Sequence, residues 1–283
     1  MDAAPRTLEI GSSEHRRALA RFFLDTHVEY VPESIRFPVL AGDALRRLTG
    51  LPFWQQAVST ENVTSRTVAA AAALERDPDV RRAIELQGFE ELRHARLLAH
   101  LTSHYRIAID APEPFEPHEL EEDFLFAGFG ECFDSFFAFG LFEIARRSGF
   151  FDPDLVSIFE PVVQEEARHI LFFVNWVKCR RTQLPRWRRP LYRLRCGWII
   201  LKQIASRVRT ARSMGRAQDG GCAENFTLSA RRDLGADITL HELLETCLQQ
   251  HDRRMAAYDA RLARPRLVPA IARLLLRTVS ARI

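Results

Sequence analysis

The sequence has no purely apolar run longer than Val68 to Leu74, far short of the ~18 residues a helix needs to cross a bilayer. Met1 to Ile10 lacks the basic-then-apolar order of a secretory signal. The five cysteines (Cys132, Cys179, Cys196, Cys222 and Cys247) are odd in number and widely spaced, with no Cys-x-x-Cys pair. Neither a disulfide framework nor a zinc or rubredoxin-like knuckle is therefore indicated. These absences lead to the expectation of a cytoplasmic chain. Net charge is also small: 40 Lys and Arg against 37 Asp and Glu leave +3, too little to imply a nucleic-acid partner by itself. Two-residue apolar alternation is scarce, so few strands are expected.

What the sequence does have is apolar spacing of three and four residues, recurring from about Leu51 to Val177 with breakers between blocks. With 283 residues, 47% of them hydrophobic, there is enough apolar surface for a generous core. The pattern predicts four long helices. The first runs roughly from Pro52 to Arg76, and Asp77-Pro78 supplies the cap and first turn of a second that reaches about Tyr105. Three prolines between Asp110 and Pro117 mark a connecting loop. A third helix spans about Glu119 to Ser148 and ends on Gly149; Asp152-Pro153 repeats the earlier cap and opens a fourth, to about Arg181. The expected fold is therefore all-α: a four-helix bundle over residues 51–182. Residues 1–50, with a helix at Ser13 to Asp25, are expected to pack on its outside. Residues 183–283 are expected to form a basic extension with helices at about Leu191 to Met214 and Leu240 to Ala263, separated by the polar stretch Gly215 to Ala236.

Two short motifs occupy corresponding places in the two hairpins, Glu91-Leu92-Arg93-His94 and Glu166-Ala167-Arg168-His169. Each is Glu-x-x-His, and positions i and i+3 of a helix share a face, so carboxylate and imidazole can reach one cavity. The motifs lie in matching stripes: Ile84, Gln87, Glu91, His94, Leu98 and Leu101, then Phe159, Val162, Glu166, His169, Phe173 and Trp176. Every member is displaced by 75 residues, as is the Asp-Pro cap. Both motifs should thus face the core, where charged groups are costly unless paired or metal-bound. The first helix adds Glu61, the only acid between Pro52 and Leu74, and the third adds Glu131. Asp134, one turn from Glu131, is the competing residue, as ligand or as a group holding a ligand in place. Glu143 lies too near the helix end to meet Glu166.

Glu61, Glu91, His94, Glu131, Glu166 and His169 together resemble the ferritin-like superfamily of di-iron and di-manganese carboxylate proteins. In that superfamily two helices give one Glu each and two give Glu-x-x-His. The likeness covers roughly residues 50–180 and implies two iron ions, or manganese or a mixed pair, bridged by Glu91 and Glu166. Val162 and Phe159 stand where the arylamine N-oxygenase group would want a third histidine. The rubrerythrin Cys-x-x-Cys module is absent, and storage ferritins lack the second metal-site histidine. What remains resembles the oxygen-activating branch. The implied function is a non-haem di-iron oxidase or oxygenase that takes O2, an electron donor and a small organic substrate. A ferritin-like iron-handling or peroxide-removing protein is the first alternative. A non-enzymatic bundle stabilised by metal, with a basic interaction surface, is the second.

Eight phenylalanines between Phe124 and Phe142 crowd around Glu131; they can line an apolar substrate pocket or simply pack the core, and packing is the commoner use. His241-Glu242-Leu243-Leu244-Glu245 lacks the second histidine of a metalloprotease motif and reads as a solvated face. His100 and His104 rotate off the core stripe, and His27 lies in the proline-broken segment. From Lys178 to Arg216 there are thirteen basic residues and no acid, interleaved with Trp187, Tyr192 and Trp198. Such a stretch suits an anionic membrane surface, a polyanion such as tRNA or an acidic partner, or it shows its arginines to water and to acids such as those of Glu119 to Asp123. The sequence leaves the oligomeric state open, with a dimer as one option.

Overall fold

The computed structural model describes residues 8–51, 53–111, 113–214 and 239–280. The expected linker Gly215 to Ala236, with Arg216 and Cys222, lies outside these, as does Pro52, the expected first residue of the first long helix. Among the described residues every regular element is helical. In chain order these are α1 (Ser13–Asp25), α2 (Gly42–Thr49), α3 (Trp54–Ala71), α4 (Pro78–His104), α5 (Leu120–Ser148), α6 (Pro153–Ile158), α7 (Glu160–Gln183), α8 (Arg189–Met214), α9 (Leu240–Ala256) and α10 (Leu267–Ser280).

The boundaries follow from local chemistry. The Asp77 carboxylate accepts from the backbone N–H groups of Asp79 and Val80, and Pro78 fills the first turn, where no N–H is needed. Asp152 and Pro153 do the same for α6. α5 ends on Gly149 at φ 64°, the left-handed conformation that relieves a helix C-terminus. The expected fourth helix is not continuous: it breaks at Phe159 into α6 and α7. Pro161 is the cause, because it has no N–H to donate and its ring crowds the carbonyl four residues back. The first long helix is shorter than expected, tightening into a 3-10 turn at Ala72–Leu74. α9 stops at Ala256, and α2 and α10 are additions to the expected set.

α3 packs on α4 and α5 on α7, while α3 also meets α5 and α4 meets α7, so the four enclose a common interior. α1 lies on α4 and α7 and buries Leu19, Phe22 and Phe23 in the main core with Phe172 and Trp176. Phe37, Leu48, Leu51 and Trp54 bury against Leu97 and Leu101 of α4. α9 and α10 pack on α5, and α8 packs on α5 and α7. α9 comes close because Gly140 has no side chain: a Cβ there would sit 2.3 Å from Cys247 Sγ and 3.0 Å from the Cys247 backbone nitrogen. By length and composition α5 could cross a membrane, but more than half of its most apolar stretch is buried inside the protein.

Candidate metal centre

Each wall of the four-helix interior contributes acid: Glu61 from α3, Glu91 from α4, Glu131 from α5 and Glu166 from α7, with His94 and His169 one turn after their glutamates. One donor atom from each of Glu61, Glu91, His94 and Glu166 lies within 4.8 Å of the others. His94 Nδ1 stands 3.3 Å from Glu166 Oε1, 3.7 Å from Glu91 Oε2 and 3.8 Å from Glu61 Oε2. The other two predicted residues flank this group. His169 Nδ1 is 2.8 Å from Glu91 Oε1 without the alignment of a hydrogen bond, so Glu91 spans both histidines. Both oxygens of Glu131 are buried with no hydrogen-bond partner.

Two further carboxylates, Glu90 and Glu165, complete the arrangement. Each immediately precedes a predicted ligand and reaches across to the other motif. Glu165 takes His94 Nε2 at 2.8 Å and Arg93 Nη2 at 2.5 Å. Glu90 takes His169 Nε2 at 2.9 Å and Arg168 Nη2 at 2.6 Å. The two arginines are buried and donate their remaining arm to the segment after α1, Arg93 to the Val28 carbonyl and Arg168 to the Thr26 carbonyl. Arg93 also stacks on Tyr30, 3.9 Å from the ring centre, and Arg168 on Phe23 at 4.5 Å. His27 makes a short contact with Glu90, and Tyr30 donates to Glu165 Oε2 at 3.4 Å. These positions were legible as Glu-Glu-x-Arg-His repeated at the same 75-residue displacement, but the pairing runs between motifs, which one-helix periodicity does not reveal.

The Glu90 contact assigns the tautomer of His169, and Glu165 stands in the same place against His94 Nε2. Although burial alone would raise it, His169 and Arg168 hold the Glu90 carboxyl down at about 2, so Glu90 is an acceptor and His169 Nε2 must carry the proton it shares. In the neutral imidazole Nδ1 is then the lone-pair nitrogen, and it faces the carboxylates. This is how histidine ligands are held in metal sites, the second nitrogen donating to a carboxylate. Burial pushes Glu61 and Glu131 well above the usual carboxylate range, with Glu91 and Glu166 adding repulsion. Against burial, contacts with Glu165, Glu166 and Glu91 raise His94, and Glu91 and Glu90 raise His169. Without a cation the interior thus favours protons on the groups whose oxygens and nitrogens converge. A donor set of carboxylates and imidazoles with no thiolate fits iron or manganese.

The chain matches no family model, no curated protein and no solved structure.

The remaining candidates fall outside the cluster. Asp134 turns to α8 and pairs with Arg207, Nη2 at 2.5 Å and Nε at 3.2 Å. Glu143 binds Arg146 and Arg147. His241 pairs with Glu245 at the surface, and His100 Nε2 lies 3.1 Å from the Ile35 carbonyl. The phenylalanines of α5 mainly pack: Phe124 and Phe129 against Phe173, and Phe136 and Phe139 beside His251 of α9. Ser135 donates to Glu166 Oε2 at 3.1 Å.

Proposed function

We propose that the chain is a ferritin-like non-haem di-iron protein that activates O2 to oxidise a small organic substrate. The observation that carries this reading is the charge of the interior. Glu61, Glu90, Glu91, Glu131, Glu165 and Glu166 converge there with two guanidinium groups, Arg93 and Arg168. If the carboxyls are ionised, four negative charges remain, which two divalent cations would balance. Glu61, Glu91, His94 and Glu166 would hold one ion, with His169 and Glu131 completing the second position and Glu91 and Glu166 shared between them as the resemblance implies.

When bound, iron supplies the electrons and the Lewis acidity for O2 chemistry. The chain's own residues do the rest. Glu90 and Glu165 keep the Nε2 protons of the two histidines in place and so aim both Nδ1 atoms inward. Arg93 and Arg168 neutralise those carboxylates where water is excluded, with Phe23 and Tyr30 stacked against them. The Glu61 and Glu166 side chains keep 23% and 17% of their surface exposed, so in this reading O2 and substrate would approach from their side.

Metal analysis of protein reconstituted with iron or manganese tests this reading. Two ions per chain are expected, and the reduced iron protein should consume O2 with an optical change. Wild-type protein that takes up neither metal would overturn it. Excess ferrous iron separates the storage alternative: a large soluble iron core would move the assignment there.

A further inference from the structure

α8 is amphipathic in an unusual sense, because its outward face is the apolar one. Tyr192, Cys196 and Ile199 sink into the main core, and Gln203 is buried with its amide donating to the Phe126 carbonyl at 2.7 Å. On the opposite side, Leu191, Leu194, Trp198 and Leu201 are 58–70% exposed, with Val208 continuing the row at 42% and Trp187 preceding it at 66%. The spacing of three, four and three residues puts them on one stripe. From Leu191 to Val208 the stripe is about 26 Å long at 1.5 Å per residue. By helical rotation Arg193 flanks the stripe on one side and Lys202 and Arg209 on the other, all three exposed, with Lys202 also 3.9 Å from Glu122; Arg186 and Arg188 are exposed in the turn that precedes α8. The arginines that face the protein are already engaged, Arg180 and Arg195 by Glu121, Arg195 also by Glu122, and Arg207 by Asp134.

We infer that this face of α8 is a membrane-surface anchor that lies flat in the headgroup region of an anionic bilayer. The pattern matches what such a surface recognises: leucines reach the acyl boundary, tryptophans sit at the interface, and flanking arginines meet lipid phosphates. A second copy of the chain is a poorer fit. Pairing α8 with itself would bring its basic edges together with no acid between Lys178 and Arg216 to separate them. RNA would engage the arginines but leave the leucines in water, since backbone phosphates offer them nothing. Arg188 lies 4.7 Å from the Trp187 ring centre and Lys202 5.8 Å from that of Trp198, so cation and ring are already arranged to enter one interface together. The inference does not depend on the metal site, and a bilayer-bound enzyme would meet apolar substrates where they are concentrated.

The test is sedimentation of the full chain with phosphatidylcholine vesicles, with and without phosphatidylglycerol, at low and physiological salt. Wild-type protein should bind the anionic vesicles at least ~10-fold more tightly than the neutral ones, more weakly as salt rises. The emission of Trp187 and Trp198 should shift to the blue on binding. The variant Leu191→Ser/Leu194→Ser/Trp198→Ser alters only exposed positions and should keep wild-type circular dichroism and metal content while losing vesicle binding. Absence of binding to anionic vesicles at low salt would overturn the inference. So would a triple variant that binds like wild type, capture of RNA under conditions where vesicles are ignored, or self-association abolished by the triple variant in a protein with no vesicle affinity.

Discussion

Glu131 is the residue at which the metal reading and the stability of the bare protein pull in opposite directions. Two buried oxygens without a hydrogen-bond partner are a cost of roughly 1–3 kcal/mol to a metal-free protein, a cost that a cation bound as proposed would offset. Asp134, one turn away, is instead held by Arg207. The variant Glu131→Leu is therefore expected to bind one metal instead of two while melting higher than wild type when both are metal-free. Asp134→Ala should keep both metals. Metal analysis and melting curves check the pair, and loss of a metal from Asp134→Ala with retention of both by Glu131→Leu would reverse the assignment. The sequence favoured Glu131 by a margin of one helical turn, on the length of the second hairpin connection and the reach of glutamate. Glu90 and Glu165 were in plain view beside the predicted ligands and were missed, because their partners lie on the opposite helix. Helical periodicity orders residues along one element and carries no information about which carboxylate crosses to which imidazole.

Elements were legible where capping chemistry is local and obscure where proline or a neighbour intervenes. The two Asp-Pro caps and Gly149 placed three helix ends within a residue. Pro161 broke the fourth helix at Phe159 because its effect falls on a carbonyl four residues back, inside a stretch whose apolar spacing is otherwise unbroken. The close approach of α9 to α5 had no signal beyond Gly140, one glycine in a Phe-rich helix. That contact is specific enough to predict from. Gly140→Ala gains helix propensity but forces its Cβ against Cys247 Sγ and the Cys247 backbone, at 2.3 and 3.0 Å before relaxation. The net effect should be a destabilisation of about 1–3 kcal/mol, as for other overpacked sites. Adding Cys247→Ala removes the nearest atom and should recover part of the loss, a coupling readable in a double-mutant cycle by denaturant unfolding. Strict additivity of the two substitutions would show that the helices do not meet there.

At the scale of the whole molecule, the interior must be neutral in either of two ways. Six carboxylates and two arginines leave four negative charges, which two divalent ions would balance. Without metal, Glu61, Glu131, His94 and His169 all have raised proton affinity, and four protons would do the same. Cations and protons therefore compete for one set of oxygens and nitrogens, and binding should release protons. Each of those four raised groups contributes stability to the metal-free protein that is present below its unfolded pKa and lost as pH rises through its folded one. Within the window above the ordinary carboxylate range, the metal-free protein should accordingly weaken as pH rises. The loaded protein is spared, because the ions replace the protons. Titration of metal-free protein with two equivalents of manganous ion in weak buffer is expected to release up to ~4 protons per chain. The loaded protein should also melt higher, by ~2–4 °C per kcal/mol of binding linkage. The gap in melting temperature should widen as pH rises, and Glu91→Ala should shrink both the proton release and the gap. Tight binding of two ions with neither proton release nor a pH-dependent gap would mean that the cations sit elsewhere, on groups already ionised at the surface.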